Sequence, residues 1–124
     1  MTAQRVRRVI CQEFDQAFER VHVIAAPTTA IPAPTIEDLE RGFVEIDGKR
    51  INLQDSRGNF LTLCTIPFNQ TGLPALNLCC GFSSSGLPIG MQIVGKAFEE
   101  STVFKAGSAY EKAAKWNKRK PQLP

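Results

Sequence analysis

Apolar residues recur every three or four positions along the first twenty residues, a pattern that predicts an amphipathic helix. The predicted helix spans residues 2–20 and has Thr2 at its N-cap. Its apolar face is formed by Val6, Val9, Ile10, Phe14, Ala17 and Phe18. The β-branched run "VHVIAAP" that follows predicts a buried strand ending at Pro27.

The middle of the chain is punctuated by turn-forming residues. Three prolines fall within residues 27–34, which excludes regular helix and central strand and predicts an extended connector. Thr35 is expected to cap a short acidic helix over residues 36–41. The dipeptide Asp47-Gly48 lies between two runs of alternating apolar residues and therefore predicts a β-hairpin.

The second half of the sequence predicts a helix, two strands and a further helix. Residues 59–71 suggest a short apolar helix that is broken or ended near Pro67. Residues 74–82 and 87–96 predict strands joined by a turn at "SSSG". A helix is predicted over residues 99–116. Its expected inner face consists of Val103, Phe104, Gly107, Tyr110 and Ala114.

The predicted order of elements indicates an α/β fold with a mixed β-sheet flanked by helices. The chain has 124 residues, the size of one domain. We expect residues 1–124 to form one segment of such a domain, with a frayed tail over residues 115–124.

Composition favours a cytoplasmic protein without a membrane anchor. The chain is 43% hydrophobic and 22% charged, and no apolar run approaches the length needed to span a bilayer. The N-terminus lacks the apolar core of a signal peptide. The net charge is +3, and two basic groups stand out, Arg5 to Arg8 and Lys115 to Lys120. Because aromatic residues do not alternate with them, we interpret both as solvated surface and expect no direct binding of nucleic acid.

The cysteines and the single histidine do not form a convincing reactive site. Cys11, Cys64, Cys79 and Cys80 are not spaced as zinc ligands, so neither a metal nor another cofactor is expected. We interpret them as buried reduced thiols. His22 is the one candidate partner for a thiol nucleophile, but its place in a strand favours a boundary position over a catalytic role.

The three consecutive serines Ser83, Ser84 and Ser85 raise the possibility of a hydrolase nucleophile. However, Gly81 and Gly86 bracket four residues instead of the three of a nucleophile elbow, and a strand follows where a helix is required. These serines are therefore predicted to form a solvent-exposed turn.

A series of short motifs resembles the C-terminal part of the amidase signature family. The segment "AQRVRRVICQEFDQAFERVHVIAAPTTAIPAP" looks like the family's helix, strand and "PT" segment. The more specific stretch is "TIPFNQTGLPALNLCCGFSSSGLPIGMQIVGKAFEESTVFKAGSAYE". Within it T-x-P-x-N, G-L-P-A, C-G-F, G-L-P-x-G-x-Q-x-[VI]-G, F-E-E and A-Y-E follow at the family's spacing.

The resemblance implies an amide hydrolase whose catalytic residues are missing from this sequence. Family members use a serine nucleophile, a second serine in a cis peptide and a lysine, carried by a glycine/serine-rich signature and an upstream strand. Neither segment is present, so no catalytic residue is assigned. The chain is expected to be a fragment, a truncated product or the product of a split gene, and to be inactive alone.

The resemblance also suggests which residues border the substrate pocket. In the glutamine-dependent members an acidic residue holds the substrate ammonium, and Thr62 occupies that position here. A less charged small-molecule amide is therefore favoured as substrate. The pocket-lining candidates are Phe60, Thr62, Thr65, Phe68 and Asn69. The alternative is that these residues only pack against or cap the local helix.

Three hypotheses remain open. The chain is the C-terminal segment of an amidase hydrolase, a non-catalytic structural or regulatory derivative, or a fragment of the A subunit of a glutamine-dependent tRNA amidotransferase. Because its strands would normally join a larger sheet, we expect either self-association or a partner chain that carries the catalytic serines.

Overall fold

The computed structural model describes residues 2–55 and 58–119, which contain four α-helices and seven short strands. The first half contains α1 (Ala3–Phe18), β1 (Val23–Pro27), α2 (Ile36–Arg41), β2 (Phe43–Ile46), β3 (Lys49–Asn52) and β4 (Gln54–Asp55). The second half contains β5 (Gly58–Asn59), α3 (Ile66–Thr71), β6 (Ala75–Phe82), β7 (Pro88–Gly95) and α4 (Glu100–Ala114). Single 3₁₀ turns occur at Phe60–Thr62 and Trp116–Lys118.

The main sheet has three strands in the order β1-β7-β6. The last strand in the sequence therefore lies at the centre, with Ile24 opposite Val94 on one side and Leu76 opposite Ile93 on the other. Both pairings are antiparallel. The α/β class is as predicted, but the parallel pairing that a mixed sheet requires does not occur among the described strands.

Helices cover both faces of this sheet. Side chains along a strand point alternately to opposite faces, so each face presents apolar residues against which a helix packs. On one face Leu78 and Ile93 pack against Val103 of α4. On the other face Val94 packs against Phe18 of α1 and Phe68 of α3. The strands thus form the middle layer of three, as their nearly continuous apolar runs predict.

Two glycines allow α4 to lie close to the sheet. A Cβ added to Gly95 at the end of β7 would overlap the side chain of Val103. A Cβ added to Gly107, in the middle of α4, would overlap the side chain of Leu76. Both glycines are buried, so the contact between helix and sheet depends on the absence of a side chain at each position.

A smaller cluster lies beside the sheet. The predicted hairpin forms β2 and β3, and Val44 packs there against Ile31 and Leu53. The helix α2 begins with the predicted cap, a capping box in which the Thr35 hydroxyl accepts from the Asp38 N–H at 3.1 Å. The hydrogen bond that the Thr35 hydroxyl donates to Asp38 holds the pKa of that carboxyl below its ordinary value.

Two local predictions differ from the structure. The helix expected over residues 59–71 is shorter, because a 3₁₀ turn occupies Phe60–Thr62 and α3 begins only at Ile66. Pro67 lies in the first turn of α3 instead of breaking or ending the helix, since the N–H that proline lacks has no partner in a first turn. Phe104 was expected on the inner face of α4 but is 63% exposed. The buried face of α4 is formed by Val103 and Gly107, with Tyr110 and Ala114 partly buried.

The chain after α4 folds back on the far end of β6. The rings of Trp116 and Phe82 meet edge to face with centroids 6.0 Å apart. The guanidinium of Arg119 lies 4.2 Å from the Phe82 ring centroid. Residues 115–119 of the predicted frayed tail are thus seen against the sheet, and residues 120–124 lie outside the described part of the chain.

Candidate functional site

A cleft of about 440 Å³ lies between the proline-rich connector and one end of the sheet. The connector supplies one wall, and β6, β7 and the turn before α3 supply the rest. The lining residues are Thr28, Thr29, Ile31, Pro32, Ala33, Pro34, Leu61, Asn77, Cys79, Pro88, Ile89 and Gly90. Every one of these side chains is uncharged, so the described cleft is suited to a neutral ligand.

The sheet side of the cleft is closed by a hydrogen bond that passes over the central strand. The Thr28 hydroxyl, just after β1, donates to Oδ1 of Asn77 on β6. Gly90 of β7 lies between them, and a Cβ there would be only 3.0 Å from both Asn77 Oδ1 and Thr28 Oγ1. A glycine at position 90 therefore allows the two outer strands to be linked across the middle one.

A buried glutamine links two walls of the cleft to the sheet. Gln92 on β7 is 4% exposed, and its Nε2 donates to the carbonyl oxygens of Pro27 and Cys64, both at 2.8 Å. The first carbonyl belongs to the strand that leads into the connector, and the second to the turn that carries Leu61. One side chain thus sets the positions of both walls relative to the sheet.

The thiols are less buried than the sequence indicated. Cys11, Cys64, Cys79 and Cys80 are all unpaired and partly exposed. Cys79 lines the cleft, and its thiol donates to the carbonyl of Gly81 at 3.3 Å. A reactive thiol needs a base or a cation beside it, and the described lining contains neither, so Cys79 contributes to the shape of the cleft.

The predicted pocket residues lie beside the cleft instead of lining it. Phe60 packs against the hairpin cluster, and Phe68 is buried with its ring centroid 5.5 Å from that of Phe14. The Thr65 hydroxyl donates to the Thr62 carbonyl at 3.0 Å, which closes the turn before α3. Asn69 is exposed on α3. The assignment of these residues to a substrate pocket stays a prediction, and within this segment it is Leu61 that reaches the cleft wall.

The serines form the turn that the sequence predicts. The hydroxyls of Ser83 and Ser85 lie 2.8 Å apart, and the Leu87 N–H donates to Ser83 Oγ at 3.1 Å. These hydroxyls therefore stabilise the turn at the tip of the β6–β7 hairpin through hydrogen bonds. His22 is exposed just before β1.

Thr28, Asn77 and Gly90 were not singled out from the sequence as site residues. Two signals could have indicated Thr28 and Gly90. Thr28 belongs to the "PT" segment, and Gly90 belongs to "GLPIGMQIVG". A glycine within a strand often marks the close approach of another chain segment.

Two other kinds of site are absent from the part of the chain that the structure describes. It contains no group of three or more His, Cys, Asp or Glu side chains placed to hold a metal ion. No helix within these residues has both the length and the apolar character required to cross a membrane.

Replacing Gly90 with alanine tests the closure of the cleft. The added methyl group would push Thr28 and Asn77 apart, and we expect a loss of about 1–2 kcal/mol in the free energy of unfolding. Urea denaturation measures the loss, and the amide chemical shifts of Thr28 and Asn77 report whether it is local. The control is Gly81→Ala, since a Cβ at Gly81 on β6 meets no atom within 4 Å. Equal stability of the two variants would contradict the role of Gly90.

Comparisons with known proteins agree with the motifs. The family model described as Amidase matches residues 1–104. The A subunit of glutamyl-tRNA(Gln) amidotransferase of Roseiflexus sp. (strain RS-1) is 43% identical over 122 residues, which cover 98% of this chain and 22% of that protein. The protein of the same name from Brevibacillus brevis is 43% identical over 121 residues, covering 97% of this chain and 22% of the relative.

Solved structures show the same similarity. The structure of 6-aminohexanoate cyclic dimer hydrolase matches with a TM-score of 0.72 and 29% identity, over 94% of this chain and 24% of the hydrolase. The A subunit of glutamyl-tRNA(Gln) amidotransferase from Thermotoga maritima matches with a TM-score of 0.70 and 32% identity, over 89% of this chain and 21% of the relative. The chain thus spans about a fifth of the length of these relatives. With most of its length matched by the family model, the chain belongs to the amidase signature family.

Proposed function

We propose that this chain forms the part of an amidase signature hydrolase that borders the substrate cleft, in a protein that cleaves the carbon–nitrogen bond of a small-molecule amide. The observation that carries the proposal is the uncharged cleft, whose walls come from the "PT" segment and from the "GLPIG" segment of the family resemblance. Acyl transfer from an amide needs a nucleophile, a base and donors for the oxyanion. By the resemblance these groups lie on sequence that this chain lacks.

The contribution of this chain is then binding and orientation. Asn77 lines the cleft, and its Oδ1 accepts from Thr28, which holds the side-chain amide in place. Nδ2 remains a donor, which suits the carbonyl oxygen of an amide. The apolar side chains of Ile31, Leu61 and Ile89 surround this polar pair and favour a substrate with a hydrocarbon part.

A second candidate function is that of the A subunit of a tRNA amidotransferase, which the names of the curated relatives favour. A glutamine substrate carries an ammonium group that requires a negative partner in a desolvated site. Thr62 stands where the resemblance places that acid, and the described cleft lining contains no carboxylate. A neutral amide therefore remains the better supported substrate.

A chimera tests the proposal. The 124-residue chain replaces the aligned segment of 6-aminohexanoate cyclic dimer hydrolase, and the purified chimera is assayed with neutral aliphatic and aromatic amides and with glutamine. We expect hydrolysis of at least one neutral amide, and a kcat/KM for glutamine at least about 30-fold lower because the ammonium would be unpaired. The 124-residue chain alone is expected to release no product.

Two controls make the result interpretable. The same chimera with the catalytic serine of the parent enzyme changed to alanine must be inactive, which shows that hydrolysis uses the family's nucleophile. A soluble, folded chimera without any amidase activity would contradict the proposed function, and a preference for glutamine would favour the amidotransferase alternative.

A further inference from the structure

Phe98 is the most exposed large apolar side chain of the described residues. It is 94% exposed and lies in the loop between β7 and α4. Its φ is +65°, in the left-handed region that a bulky side chain rarely adopts. A conformation of this kind persists where the surroundings require it and is concentrated at functional positions. The loop thus presents an aromatic ring to solvent in a costly backbone conformation.

An apolar groove lies beside this loop. It runs between the start of β6 and the first turns of α4, and it is lined by Pro74, Ala75, Leu76, Glu100, Val103 and Phe104. Phe104, which faces outward from α4, is 63% exposed. Phe98 lies two residues before Glu100 of the groove wall, and we name the groove together with Phe98 and Phe104 the Phe98 surface. Contiguous exposed apolar surface of this kind marks sites of interaction between protein parts.

The outer edge of β6, which is an edge strand of the described sheet, continues this surface. Gly95 N donates to Pro74 O at 2.9 Å. In an antiparallel pair, every second residue is hydrogen-bonded to the partner strand, so this bond shows which residues of β6 are bonded to β7. The main-chain groups of Leu76 therefore face β7, and those of Ala75 and Asn77 face away from it. The strand "ALNLCCGF" contains no charge and no proline, two of the devices that protect an edge from pairing, and its register shift lies at Cys79 to Gly81, away from the groove end of the strand.

We propose that the Phe98 surface is the interface through which this chain docks on the remaining part of an amidase signature fold. The inference rests on the proposed function. The occupant follows from length, since the relatives are more than four times longer than the segment they share with this chain. Phe98 and Phe104 both lie inside the stretch matched by the family, residues 1–104, so the surface belongs to the shared fold.

The test compares one substitution in two contexts. In the isolated chain Phe98→Asp removes an exposed side chain, and aspartate tolerates the left-handed region better than phenylalanine, so the melting temperature should be unchanged or slightly higher. In the hydrolase chimera the same substitution places a carboxylate in an apolar interface, and we expect the melting temperature to fall by at least about 4 °C. Phe104→Asp provides a second variant with the same expectation in the chimera.

Ile36→Asp is the matched control, because Ile36 on α2 is 77% exposed and does not line the groove. This substitution should leave the melting temperature of both the isolated chain and the chimera unchanged. If Phe98→Asp and Phe104→Asp leave the melting temperature of the chimera unchanged, the interface is refuted, whatever the amidase activity. If the isolated chain is a dimer that Phe98→Asp converts to a monomer in size-exclusion chromatography, the occupant is a second copy and the proposal is overturned.

If the chimera does not accumulate in soluble form, the interface is tested by co-expression. The tagged 124-residue chain is produced together with the part of the hydrolase outside the aligned segment. The wild-type and Ile36→Asp chains should co-purify with that part, and Phe98→Asp should reduce recovery at least about tenfold. No recovery with the wild-type chain would overturn the proposal.

Discussion

Replacing Gly95 with alanine is expected to lower the free energy of unfolding by about 2–3 kcal/mol, since overfilling a packed core has costs of this size. The new methyl group would overlap Val103, which is 3% exposed and cannot turn away into solvent. The carbonyl oxygen of Glu99, 3.5 Å from the same position, limits movement of α4 on the other side. Urea denaturation followed by circular dichroism measures the change.

The overlap can be separated from a general effect of alanine in a strand. Gly81→Ala on β6, where a Cβ meets no atom within 4 Å, should leave stability nearly unchanged. Val103→Ala should partly rescue Gly95→Ala, so that the double variant is more stable than the sum of the single changes predicts. Strict additivity would show that Val103 is not the obstacle.

Replacing Gln92 with leucine should have the largest effect, a loss of about 3–4 kcal/mol, because a buried side chain loses two hydrogen bonds at once and two partly buried carbonyl groups lose their donor. Leucine fills a similar volume but has no side-chain donor for the carbonyl oxygens of Pro27 and Cys64. Both cleft walls depend on these bonds, so the chimera should also lose amidase activity. Urea denaturation of the chain and amide hydrolysis by the chimera measure the two consequences.

Gln70→Leu is the matched control for this change. Gln70 is exposed on α3, and the bond it receives, from Arg7 Nε at 2.6 Å, ends on its main-chain carbonyl. That bond survives the substitution, so stability should change by less than about 0.5 kcal/mol. If Gln92→Leu were as mild as Gln70→Leu, Gln92 would not be the link between the sheet and the cleft walls.

The elements of this fold were predictable wherever a local signal decides them. The spacing of apolar residues identified α1, Asp47-Gly48 identified the hairpin, and Thr35 identified the start of α2. The strands β6 and β7 were recognised as apolar runs on either side of a serine-rich turn. In each case residues close in sequence determine the structure.

Features that depend on distant residues were not predictable in the same way. Phe104 fits the apolar pattern of α4, but the described chain covers only part of its side chain, which remains 63% exposed. The cleft residues Thr28 and Asn77 are 49 positions apart and become neighbours only through the strand order. The predicted pocket residues were taken from one short segment, of which the fold brings Leu61 to the cleft wall.

The strand order has a consequence for synthesis of the protein. In the described sheet, β1 pairs only with β7, the last strand of the sequence. Pro27 of β1 and Gln92 of β7 are joined by a hydrogen bond and are 65 positions apart. At roughly 5–20 residues per second, β1 waits about 3–13 s for that partner to be translated. The hairpin of β6 and β7, by contrast, closes across a short loop at little entropic cost. The nascent polypeptide therefore exposes an apolar segment for seconds on the ribosome, a period in which chaperones can bind it.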